Sequence, residues 1–180
     1  MRTESTGTGT TEKEEAARGR VVVGVTGSLA SLAALRAAAA EARNSGRPLL
    51  AVLAWEPPEG EALYLRHPDK EWAAHWKAEA RARLDRAFDE VFGGAPGGVE
   101  VERWVVRGRP AAALCDMAPG EDDLLVVGSR PHARRGGGRV RRRVLRRAVC
   151  GVLVVRAPEV PKGLGRALRK VSAQDFVTVG

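Results

Sequence analysis

Residues 21–42 read VVVGVTGSLASLAALRAAAAEA. The run Val21-Val22-Val23-Gly24-Val25 has no polar alternation, which is what a strand buried on both faces requires. Thr26-Gly27-Ser28 follows as turn chemistry. Ser28 is placed to cap a helix running to about Arg43, with Leu29, Leu32 and Leu35 three apart in an alanine-rich stretch. Gly46 and Pro48 end it. Four further apolar runs lie downstream: Leu49 to Trp55, Val99 to Val106, Leu124 to Val127 and Val152 to Val155. The second of these alternates with Glu100, Glu102 and Arg103, so it is expected at a sheet edge.

Helical stretches separate the runs. From about Asp69 to Phe92, Trp72, Trp76, Ala80, Leu84, Phe88 and Val91 recur every three or four residues and predict one apolar stripe, stopped by Gly93-Gly94. Pro110 suits the first turn of a short helix over residues 111–118. Val140 to Ala148 is a basic helical segment. Strict β-α alternation predicts an α/β fold, a five-stranded parallel sheet with helices on both faces. In such sheets ligands bind beyond the carboxyl ends of strands, where the winding reverses. The loops expected to matter are Thr26 to Ser28, Trp55 to His67, and Gly128 to Gly138.

The chain has 180 residues, enough for one domain with a sizeable core. Hydrophobic residues make up 44%, too many for a disordered chain, and no run approaches the ~20 apolar residues that span a bilayer. Residues 1–18 are rich in Thr, Glu and Gly without periodicity and read as a disordered tail; they contain no secretory signal, so the cytoplasm is the expected location. Residues 19–156 form the expected domain and 157–180 a C-terminal tail. The two cysteines, Cys115 and Cys150, are expected to be reduced, buried and inert. No Cys/His spacing suggests a metal site.

Four segments resemble the universal stress protein family, and specifically its actinobacterial type. They are residues 21–42 above, VVRGRPAAALCDMA at 105–118, DDLLVVGSR at 122–130, and VLRRAVCGVLVVR at 144–156. The resemblance implies the strand order 3-2-1-4-5 of the adenine-nucleotide alpha hydrolase-like fold, a homodimer paired through the last strand (Val152, Val154), and ATP or AMP as the ligand. It places the site at Thr26, Gly27, Ser28, Ala54, Gly128, Ser129, Arg130, Gly138, Arg139 and Val140. The family signature Gly-x2-Gly-x9-Gly-Ser/Thr brings backbone amides and a helix N-terminus to phosphate. This chain departs from it. Pro131 stands at the second glycine, the intervening stretch is about three residues shorter, and Arg139 replaces the hydroxyl residue. Thr26 stands where binding members have Asp, which loses a charge and an acceptor.

Nine arginines fall within residues 130–147. Arg130 and Arg139 are expected at the crevice. Arg142, Arg143, Arg146 and Arg147 are expected to be mainly solvated, because ~100° per residue forbids all of them facing one way. No stacking aromatics interleave the cluster, so nucleic-acid binding is not expected. Trp55 is expected to cap the core, and Asp122-Asp123 to be loop-surface charges. Ser28 has no His base with an orienting acid, so no enzyme is expected. The expected function is a regulatory binding module with a degenerate nucleotide site that binds ATP, AMP or another anion weakly. Two alternatives stand beside it: a nucleotide-free dimeric interaction module, and a polyanion-binding protein acting through residues 130–147.

Overall fold

A computed structural model describes residues 19–66, 68–130 and 138–159. The elements in chain order are β1 (Val21–Gly24), α1 (Leu29–Ser45), β2 (Leu49–Trp55), α2 (Glu61–Arg66), α3 (Lys70–Phe92), β3 (Val101–Arg107), α4 (Pro110–Asp116), β4 (Leu124–Ser129), α5 (Arg139–Arg147) and β5 (Gly151–Arg156). The five strands form one sheet in the order β3-β2-β1-β4-β5, and every pairing is parallel. Val23 of the central strand pairs with Ala51 on one side and Val126 on the other.

The valine runs are explained by two core layers. Val21, Val23 and Val25 pack with Leu35, Leu49, Leu53, Leu84 and Phe88 on the α1/α3 face. Val22 packs with Leu50, Val52, Leu125, Val127, Leu114 and Val144 on the α4/α5 face. Both sides of β1 are therefore apolar, and period-two alternation is absent because neither face meets water. β3, at the edge, alternates between half-buried and exposed positions over residues 101–105, with Glu102 and Trp104 outward and Arg103 on the half-buried side.

The helix ends follow their capping chemistry. Ser28 Oγ accepts from the Ser31 amide at 3.3 Å at the start of α1, and Gly46 closes that helix in the left-handed conformation (φ 67°). Asp69 caps α3 through the Trp72 amide at 2.9 Å, and Gly93 ends it.

Three expectations need correction. Residues 61–66, expected as loop, form α2, which is tied to the β3 edge. Arg107 Nη2 reaches Glu61 Oε1 at 2.9 Å, and its guanidinium lies 4.6 Å from the centre of the Tyr64 ring. Trp72 and Trp76 are not core. Trp72 is 47% exposed and Trp76 half-buried, and they form an aromatic cluster with His75; the buried stripe is Ala80, Leu84, Ala87 and Phe88. The reason is length. A helix of 23 residues extends about 35 Å and a strand of seven about 23 Å, so the first turns of α3 overhang the sheet. Asp123 is buried, not a loop-surface charge. It accepts from the amides of Arg20 and Gly120, each at 2.9 Å, and so ties the entrances of β1 and β4 together.

Trp55 packs against the α1/α3 core layer, as expected. Cys115 and Cys150 are half-buried against the other layer. Burial pushes both thiols up, the Cys115 shift being partly offset by the Arg147 charge and the Cys150 shift by a backbone hydrogen bond. The bulk of the two expected tails lies outside the described residues.

Candidate functional site

β1 is followed by a crossover toward β2, whereas β4 lies on its other side, so the winding reverses between them. No crossover covers that point, and a crevice opens at the carboxyl ends of β1 and β4. It forms a cavity of about 370 Å³, inside the usual range for small-molecule sites. Nine of the ten expected site residues line it: Thr26, Ser28, Ala54, Gly128, Ser129, Arg130, Gly138, Arg139 and Val140. Gly27 does not; it lies in the exposed turn beside them, with the Arg83 stem 3.6 Å from where a Cβ would stand. Pro131, His132 and Gly136-Gly137 lie outside the described residues, as does His67.

The β1 side is a closed hydroxyl network. The Thr26 amide donates to Ser31 Oγ at 3.1 Å, and Thr26 Oγ1 donates to the same oxygen at 3.2 Å. Ser31 Oγ donates to the Ser28 carbonyl at 2.9 Å. Ser28 Oγ lies 3.0 Å from Thr26 Oγ1. With the protons of Thr26 and Ser31 assigned in that way, Ser28 donates to Thr26 and all three hydroxyl protons are used. Thr26 Oγ1 also accepts from the Ser28 amide at 3.5 Å, so the lone pair left for a ligand is the second one on Ser28 Oγ, and this side favours a donor such as a sugar hydroxyl. The Ser28 proton is also committed, and His75, the one histidine among the described residues, stacks on Trp72. Neither arrangement activates Ser28 as a nucleophile.

The β4 side has the opposite polarity. Arg141 Nη1 donates to Ser129 Oγ at 3.0 Å, leaving the Ser129 proton free to donate outward. Arg130 and Arg139 add two cations, and the amides at the start of α5 add a positive dipole end. Gly138 sits at the N-cap of α5 with φ 91°, a conformation that a side chain strains. Between the two polar sides, Val52, Ala54, Leu114, Val127 and Val140 supply apolar wall.

Gly128 has a second reason to be glycine. A Cβ there would collide with the Ala30 carbonyl and come within 2.9 Å of the Ser31 amide. The close approach of β4 to the first turn of α1 depends on it.

Sequence reasoning missed Ser31 and Arg141 as lining residues. Ser31 had a local signal, since it is the third residue after the Ser28 cap. Arg141 was expected with Arg139 near the start of the last helix, which the structure bears out, but not as a site residue.

The profile of the Universal stress protein family matches residues 17–156, most of the chain. The chain belongs to the universal stress protein family. A universal stress protein of Thermus aquaticus, encoded in the QAH/OAS sulfhydrylase 3′ region, is 38% identical over 130 residues, covering 68% of this chain and 90% of the relative. A universal stress protein solved in complex with cAMP is 29% identical, with a TM-score of 0.59, over 78% of this chain and 98% of its own. The universal stress protein of Archaeoglobus fulgidus is 25% identical, with a TM-score of 0.56, over 76% and 98% of the two chains. Among the described residues there is no cluster of metal-ligating side chains and no helix long and apolar enough to cross a membrane.

Proposed function

We propose that this universal stress protein is a non-enzymatic regulatory module that binds an adenine nucleotide, AMP or ATP, in the switch-point crevice, with weakened affinity. The observation that carries the reading is the polarity of the cavity. The Ser28 lone pair on the β1 side suits the sugar, apolar wall suits the base, and arginines with free amides on the β4 side suit phosphate. The likeness to a structure solved with cAMP supports it. Thr26 explains the weakening, because a hydroxyl accepts less strongly than a carboxylate at the sugar position.

Calorimetric titration with AMP, ATP and cAMP tests the reading. Measurable binding is expected, and Thr26→Asp should tighten AMP by about tenfold through a charge-assisted bond. Absence of binding by both proteins at about millimolar nucleotide would overturn it.

The same reading includes a homodimer. β5 is an edge strand with Leu153 39% exposed, beside Val149 at 63%, and an apolar edge of this kind calls for a partner strand.

A further inference from the structure

α5 carries arginines at 139, 142, 143 and 146, the i, i+3, i+4, i+7 spacing that places them along one helical face. Arg142, Arg143 and Arg146 are exposed, as expected; with Arg139, and with Arg109 from the β3–α4 turn, they line a cleft of about 730 Å³. Among the described residues Glu56 is the single carboxylate lining it, 4.0 Å from Arg109 Nε. Five cations face one anion. Among the described residues, none of the four α5 arginines forms an ion pair. The cleft adjoins the nucleotide cavity and shares Pro110, Arg139 and Val140 with it.

Two features of this arrangement oppose folding. Arginines three and four apart on one face repel one another. Cations in the first turn of α5, which has no acidic residue, stand against the positive end of the helix dipole. An anion in the cleft relieves both at once. Guanidinium forks match phosphate oxygens, and several in a row match consecutive phosphates. Among the described residues no aromatic side chain lines the cleft, so these residues offer no platform on which bases could stack.

We propose that the arginine cleft between α5 and the β3–α4 turn binds an oligophosphate chain, either free or continuing from a nucleoside seated in the adjoining cavity. The nucleoside-borne form rests on the nucleotide reading above; the free form does not.

The test uses the full chain and titrates inorganic tripolyphosphate, AMP and ATP separately at about 0.15 M salt. Arg143→Gln with Arg146→Gln should weaken tripolyphosphate by about tenfold or more and leave AMP within about twofold, because neither residue lines the nucleotide cavity. Arg109→Gln, on the facing wall, should weaken tripolyphosphate independently of α5. Glu56→Gln should strengthen it, a gain that a damaged fold would not produce. Arg36→Gln with Arg86→Gln, two exposed arginines in the opposite layer, should change little. A parallel loss of ATP affinity in the Arg143/Arg146 variant assigns a nucleoside-borne chain; unchanged ATP affinity assigns a free one. If AMP fails to bind while the tripolyphosphate pattern holds, the nucleotide reading falls and the cleft stands. The proposal is overturned if tripolyphosphate does not bind, if the Arg36/Arg86 pair weakens it equally, or if an oligonucleotide of equal charge binds more tightly than tripolyphosphate.

Discussion

Gly128→Ala separates two reasons for a glycine at the end of β4. The signature resemblance implies that Gly128 lets a ligand approach the backbone, whereas the packing shows that it lets α1 approach. An added Cβ meets the Ala30 carbonyl and lies 2.9 Å from the Ser31 amide, both main-chain groups that cannot rotate aside. β4 cannot back away either, because Gly128 is held in register with Val155 of β5. Overpacking of this kind costs about 1–3 kcal/mol. If α1 shifts to relieve it, the 3.3 Å cap from the Ser31 amide to Ser28 Oγ weakens, at about 1 kcal/mol. The expected destabilisation is therefore about 2–4 kcal/mol. At about 2–4 °C per kcal/mol for a chain of this size, Tm should fall by about 4–16 °C. Urea unfolding followed by circular dichroism measures the first quantity and calorimetry the second. A change under about 0.5 kcal/mol would show that the close approach does not constrain the residue. Unchanged stability together with lost AMP binding would assign the glycine to the ligand instead.

Two further outcomes are expected. Leu153→Lys should convert the proposed β5-paired homodimer to a monomer at tens of micromolar, read by light scattering on a sizing column; Val154 is a poorer probe because it packs against the α4/α5 core layer. A monomeric parent protein would remove the β5 interface altogether. Burial raises the folded-state pKa of Cys115 and Cys150, so the folded chain holds those protons more tightly than the unfolded one. The resulting stability is fully present below the unfolded thiol value of about 8.5 and is lost as pH rises through the folded values. Unfolding free energy measured between about pH 8 and 10 should fall more steeply for the parent than for Cys115→Ala with Cys150→Ala, and equal slopes would refute the assignment.

The elements most legible in the sequence are those governed by local chemistry. Val21-Val22-Val23 announces a strand without a wet face, Ser28 and Gly46 bracket α1, Gly93 stops α3, and Glu100, Glu102 and Arg103 mark β3 as an edge. Each depends on neighbours within a few residues. The place of the crevice was legible too, because the turns that end β1 and β4 must meet once the sheet reverses its winding, and nine of the ten residues implied by the family resemblance line the cavity there.

What tertiary structure alone decided concerns non-local distances and directions. Trp72 and Trp76 continue the apolar period of α3, yet stand beyond the sheet because the helix is longer than the strands beneath it. Asp123 looks like its neighbour Asp122 but turns inward, because the starts of β1 and β4 bring two amides to it. Arg141 and Arg142 are adjacent and chemically identical. One holds Ser129 in the switch-point cavity, while the other lines the second cleft with Arg109. A rotation of about 100° between successive helical residues separates them, and only the packing of Val144 into the core establishes which way that rotation points.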